Sequence, residues 1–334
     1  MPEDNYDQPD FFGFTPDELT PPRESGRPDG PKQKPLSEVA RRAIKASTDS
    51  VMEPPEQISY QHTVLCQTSI PYRNPGKGVL SWERKQGDVH LLVDAGKALN
   101  PETDAYVQLG LPFGPKPRLI LAHLNAQAIK TGSPVIEMDD SLTAFVKRVQ
   151  NRNPTGPEIR DFKSHLGRLA AATIRMAVST DGYAVQVDSK IVTAFDLWFP
   201  KNEKQRVLWP STIRLSHEYF NSLQNHAVPL DERALVALAH SSMALDIYSW
   251  LAQRLHRISA DRTQFIAWAA VKDQFGQGYG RMDNFKRVFR IAMKQVLIQY
   301  QTANVEEDGR GLTLRNSPPP VAKRLYLVNK PADK

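Results

Sequence analysis

Residues 276–300 read GQGYGRMDNFKRVFRIAMKQVLIQY, a glycine-rich turn that runs directly into an amphipathic segment. From Met282 to Tyr300 the residues Phe285, Val288, Phe289, Ala292, Met293, Val296 and Tyr300 recur at i, i+3 and i+4, which predicts a helix with one buried face. Arg287, Arg290 and Lys294 fall on a different face, with Arg281, Asn284 and Lys286 near the N-terminal end. Asp283 is the only acidic residue between 281 and 300. Upstream, Ala267–Gln274 has the period of a short helix. Downstream, Asn304–Glu306 and Leu312–Leu314 read as two short strands around the turn EDGRG. A short helix, a tight turn, a basic helix and a hairpin make the order of a helix-turn-helix with a wing, whose second helix enters a DNA major groove.

The residue types suit that task. The planar fork of arginine makes two hydrogen bonds to guanine O6 and N7, the amide of asparagine does the same for adenine, and lysine serves as a point charge on phosphate. Arg281, Asn284, Lys286, Arg287, Arg290 and Lys294 are therefore the first set of candidate DNA contacts. A helix expected over Glu158–Val178 supplies a second set, Arg160, Lys163 and Arg168. The same expected helix also carries Arg175, with Lys147, Arg148 and Arg152 nearby, and Ile159, Phe162, Leu166, Leu169 and Ile174 form its apolar side.

Working outward, the same order occurs earlier in the chain. Pro117 stands where a helix can begin, before RLILAHLNAQAIKT; a short strand is expected at Val135–Met138 and a helix from Asp140 or Ser141 to Val149. After the helix from Glu158, Tyr183–Val187 and Ile191–Trp198 alternate like strands. Tyr60–Cys66, Val79–Glu83 and Val89–Val93 have a period near two, and a long helix is expected over Asp231–Arg257. The fold class is thus α+β and helix-rich, with two tandem winged-helix domains bearing small hairpin wings. Their spans are 58–200 (with a β-rich lead-in) and 201–323. Residues 1–57 form a tail, a short basic helix over 36–48 and a linker, and 324–334 a C-terminal tail. Residues 1–35 hold eight of the 26 prolines around the cluster Phe11, Phe12 and Phe14, a composition that predicts disorder.

Composition bounds the function. The chain has 334 residues, 40% apolar, with a net charge of +6, a modest excess whose location matters more than its size. Cys66 is the only cysteine, so no intramolecular disulfide, zinc finger or CxxC motif can form, in keeping with a reducing cytoplasm. No signal peptide is apparent, and no apolar run has the length of a membrane span. The eight histidines, among them His62, His90, His123, His165 and His256, are scattered without the paired spacing of a rolling-circle nickase. The nearest approach to a phosphate-binding loop, around Asn74-Pro75-Gly76-Lys77-Gly78, lacks the Lys-Ser/Thr ending, and GQGYG is an inter-helical turn. The expectation is a protein without a catalytic site, metal or cofactor.

Six strings resemble the plasmid-encoded RepA initiator family: LPFGPKPRLILAHLNAQA (111–128), SLTAFVKRV (141–149), LDIYSWLAQRLHRI (245–258), IAWAAVKDQFGQGY (266–279), NFKRVFRIAMKQV (284–296) and GLTLRNSPPPV (311–321). The resemblance implies a replication initiator that binds repeated double-stranded DNA at an origin, promotes its opening and recruits host proteins such as a helicase or initiator. It also implies that some molecules form homodimers that limit copy number or repress their own promoter. It brings no nuclease or ATPase centre. A sequence-specific transcription regulator using the same helices is the alternative, and a protein-interaction scaffold with merely solvated basic helices is a third reading.

Overall fold

In the computed structural model, which describes residues 57–100, 103–139, 141–180, 183–194 and 212–321, the first strand serves a distant part of the sequence. β1 (Ile58–His62) ends where the His62 imidazole accepts from the Val64 N–H at 3.2 Å, capping a short helix, α1 (Thr63–Gln67). That cap divides the run expected as one strand over Tyr60–Cys66. β2 (Ser81–Gln86) and β3 (Val89–Asp94) follow, then the hairpin of β4 (Lys97–Asn100) and β5 (Ala105–Gln108). α2 (Pro115–Thr131) carries Pro115 and Pro117 in its first turn, where an amide donor is not needed. It stops at Gly132, whose φ of 64° lets its N–H reach the carbonyls of Ala128 and Ile129. Leu119, Ile120, Leu121, Ala122, Leu124 and Ala128 are all buried, so α2 is a core helix.

β6 (Val135–Glu137), α3 (Leu142–Gln150) and α4 (Gly156–Ala171) lead into the hairpin of β7 (Thr173–Thr180) and β8 (Tyr183–Ser189), giving an antiparallel sheet in the order β2-β3-β7-β8. The helix expected to reach Val178 therefore stops at Ala171. Beyond Thr173 the burial alternates, with Ile174 and Met176 inside, and β-branched residues favour the extended chain.

β9 (Val192–Ala194) is followed by β10 (Thr212–Leu215), which lies between β6 and β9, and by α5 (His217–His226); this strand–helix segment had no counterpart in the sequence reading. β11 (Ala227–Asp231) pairs antiparallel with β1, from Ile58 opposite Asp231 to His62 opposite Ala227. The single helix expected over 231–257 is two helices, α6 (Glu232–Ala237) and α7 (Ser242–Arg254). Asp231 opens α6 by accepting from the Arg233 N–H at 2.9 Å, and the break is marked by Ser241, whose hydroxyl accepts from the Ala244 N–H at 3.2 Å to start α7 anew. α7 is buried from Ser242 to Gln253.

β12 (Thr263–Ala267), α8 (Trp268–Phe275), α9 (Met282–Gln299), β13 (Val305–Glu307) and β14 (Gly311–Arg315) complete the described chain, with the sheet order β12-β14-β13. The protein is thus α+β, with small antiparallel sheets among its helices. One apolar core runs from α1 and α2 through α7 to α9 and β14. By strand pairing β1 joins the later half and β10 the earlier, so the halves interlock. The expected disordered segment 1–35, the Phe11, Phe12 and Phe14 cluster, the basic helix 36–48, the remainder of the strand expected to Trp198 and the tail 324–334 lie outside the described residues.

Candidate nucleic-acid interface

α9 meets its neighbours through the face anticipated from its spacing. Phe285, Phe289, Ala292, Met293, Val296 and Tyr300 are buried, Val288 half-buried, and Asp283, Asn284, Arg287, Arg290, Ile291, Lys294 and Ile298 exposed. Its N-terminus is aimed by the turn before it. A Cβ on Gly276 would lie 2.7 Å from the Lys272 carbonyl oxygen and 3.0 Å from the Phe285 ring, so only glycine lets α8 and α9 approach this closely. Gly278, at φ +84°, takes a conformation that side chains rarely adopt, and the Lys272 ammonium donates to the Gly280 carbonyl at 2.9 Å.

The hairpin β13–β14 stands beside α9 and is tied to it through Trp268. The Trp268 backbone N–H donates to the Arg310 carbonyl, and its indole N–H to the Asp308 carbonyl, both at 3.0 Å. Lys286 lies over the indole, 4.8 Å from the ring centre, and its ammonium donates to the Gly309 carbonyl at 3.3 Å. Arg290 also lies over the indole and pairs with Glu307 at 2.6 Å. Two candidate cations are thereby held against the hairpin. Among the described residues Arg287 instead donates only to the neighbouring Asn284 amide at 3.1 Å and Lys294 is exposed, leaving both facing solvent. Arg281 pairs with Asp283 at 2.6 Å, which raises the guanidinium pKa further and lowers that of the carboxyl.

The second set is more dispersed. Arg160 is exposed on α4; Lys163 is half-buried, and burial lowers its pKa. Arg168 donates to the Leu111 carbonyl at 3.2 Å and lies over the Phe113 ring, with its pKa also lowered by burial. Arg148 pairs with Asp139, Arg152 with Glu158 and Arg175 with Asp94. Of this group Arg160, Lys147 and Arg148 are exposed, Arg148 while paired with Asp139.

Three features of the site escaped the sequence reading. Trp268 joins the core, but its role as a brace for Lys286, Arg290 and the hairpin depends on tertiary contacts. Arg310 is 84% exposed at the hairpin tip, where the Asp308 carboxylate accepts from the Arg310 and Gly311 N–H groups. The DGRG turn was a signal for it. Ile291 sits exposed among the cations. Among the described residues no group of three or more His, Cys, Asp and Glu side chains could hold a metal ion, and no helix is long and apolar enough to cross a membrane.

A basic helix beside a braced hairpin defines a candidate DNA-binding surface. The family model of the plasmid encoded RepA protein matches residues 111–274, from just before α2 to within α8. This segment, a little under half of the chain, is similar to the plasmid-encoded RepA family. α9 and the hairpin follow the matched segment. The chain is also similar to two crystal structures of domains 2 and 3 of RctB. For the selenomethionine form the TM-score is 0.44 at 10% identity, covering 82% of this chain and 99% of that one; for the 155–483 fragment it is 0.39 at 10% identity, covering 80% and 94%. No curated protein matches.

Proposed function

We propose that the chain is a plasmid replication initiator that binds repeated sequences at an origin through two winged-helix units. In the later unit α9 is the recognition helix and β13–β14 the wing; in the earlier, α4 and β7–β8 take these parts. Each unit borrows a strand from the other. The observation that carries this reading is the exposed face of α9, where Arg287 and Lys294 point to solvent beside a hairpin braced in place. Asn284 and Arg287 lie in the first half of the helix, which approaches base edges, and Lys294 is two turns beyond Arg287, within reach of phosphate. Arg310 at the wing tip is placed to follow the adjacent backbone or minor groove. The protein acts in the cytoplasm without a catalytic centre of its own. It promotes origin opening and helicase loading through host proteins, and some molecules pair to limit copy number.

The test supplies the gene with its flanking DNA on a marker circle in a permissive host. Maintenance of the circle, and its loss on Arg287→Ala with the fold preserved, is the expected result. Promoter repression without any maintained circle would assign the protein to transcriptional control instead, and absence of salt-sensitive DNA binding would leave a scaffold.

A further inference from the structure

The exposed face of α9 has an apolar centre. Ile291 lies one turn from both Arg287 and Lys294 and is 46% exposed; Ile298, two turns further on, is 38% exposed. A single exposed apolar residue is ordinary on a protein surface. The flanks distinguish this one, since Arg287, Arg290, Ile291 and Lys294 fall at i, i+3, i+4 and i+7. That is a spacing by which a helix lying along a major groove presents side chains to base edges. The surface calls for an occupant that is anionic at its rim and apolar at a point in its middle. A second copy of the chain fits poorly, because a two-fold contact brings the same patch against itself and sets these cations against one another. Duplex DNA fits: phosphates line the groove, and the apolar group on its floor is the C5 methyl of thymine.

We propose that Ile291 is a specificity-determining residue that packs on a thymine methyl group in the major groove of the bound duplex. The proposal rests on the reading of α9 as a recognition helix and adds a base preference to it. Covering one methyl group with an aliphatic side chain is worth about a fourfold change in affinity.

The test uses the full chain and a duplex that it selects from a randomised pool. Each thymine in the selected duplex is replaced singly by deoxyuridine, which removes the methyl and leaves the pairing edge intact. For the parent protein one replacement should weaken binding about fourfold. For Ile291→Ala the same replacement should have no effect, while the folded state, checked by its melting transition, is retained. Equal sensitivity of parent and Ile291→Ala at every thymine overturns the proposal, even where Arg287→Ala still loses binding and the recognition-helix reading stands. Uniform loss of affinity in Ile291→Ala without coupling to any thymine also overturns it, as does a concentration-dependent dimer that the variant abolishes. If the pool yields no preferred duplex, the reading and the proposal fall together.

Discussion

Arg118 and Asp246, 128 positions apart, form a two-point ion pair between α2 and α7. Arg118 Nε donates to Asp246 Oδ1 at 2.6 Å and Nη2 to Oδ2 at 2.8 Å. They are 6% and 8% exposed, so the pair lies in the shared core. The remaining guanidinium donors reach the Gly114 carbonyl at 2.7 Å and the Ile70 carbonyl at 2.8 Å, and the Tyr72 ring lies 5.2 Å away. One side chain thus fixes the start of α2, the loop after α1 and the middle of α7, and so sets the two halves relative to each other.

Neutralising one partner should be severe. Asp246→Asn leaves a buried guanidinium without its counter-charge, at an expected cost of about 3–5 kcal/mol in urea denaturation. Arg118→Met should cost a similar amount, because it also orphans two carbonyls. The double variant Arg118→Met/Asp246→Leu should be less destabilised than the two singles added together. A loss of under about 0.5 kcal/mol for Asp246→Asn would show that the pair does not hold the halves together.

Acid should loosen the fold before the carboxylates titrate. Burial, with a smaller contribution from His226, lowers the His62 pKa to about 4. Burial, helped by Lys116 and Arg168, brings His165 to about 4 as well. Both histidines stay neutral in the fold but take up a proton near 6.5 once unfolded. Their contribution is therefore complete above pH 6.5 and is lost as the pH falls towards 4, by about 1.4 kcal/mol per unit for each group. Melting curves between pH 7.5 and 4.5 would show it. His165→Leu should flatten the dependence by one group's share, since among the described residues the buried Nδ1 of His165 has no hydrogen-bond partner to lose.

Two glycines shape the region around α9 and should tolerate no side chain. A Cβ on Gly276 meets the Lys272 backbone and the Phe285 ring, and one on Gly311 overlaps the Ile266 carbonyl across the β12–β14 pairing. Gly276→Ala and Gly311→Ala should each cost about 1–3 kcal/mol, and Gly311→Ala should also displace Arg310. Hydrogen exchange at the β14 amides would report the local effect; unchanged protection would mean that the sheet adjusts without strain.

What was legible in the sequence is the part governed by local rules. The apolar face of α9, the Pro-led start of α2 and the turn at Gly276–Gly280 follow from period, proline and glycine. The strand–helix segment 212–226 was missed because β10 is short and is stabilised by β6 and β9, its distant neighbours. The apparent helix over 231–257 was too long because a core helix and its flanks are apolar throughout, and only the cap at Ser241 marks the break. At the candidate site, charge pattern identified the cations but not their partners. Lys286 and Arg290 share the helix with Arg287 and Lys294, yet Trp268 and Glu307, 18 and 17 positions from them, draw the first two to the hairpin.

That division separates the α9 cations in solution. Arg287→Ala removes an exposed arginine bonded, among the described residues, only to Asn284, so it should leave the fold within about 0.5 kcal/mol of the parent. As a base reader it should lose about 1–3 kcal/mol of binding and relax specificity at one position. Lys294→Ala should weaken binding to all sequences alike and reduce the salt slope by roughly one unit. Arg290→Ala breaks the Glu307 pair and the contact with Trp268, so its effect should include a lower melting temperature and a looser hairpin. Trp268→Phe, which keeps the ring burial but removes the indole donor to Asp308, should reproduce part of that loosening with every cation still present. Competition binding at several salt concentrations, against native and base-substituted duplexes, separates these outcomes. Should Arg287→Ala and Lys294→Ala both bind as the parent does while remaining folded, α9 is not the recognition helix, and Arg160 on α4 becomes the residue to test.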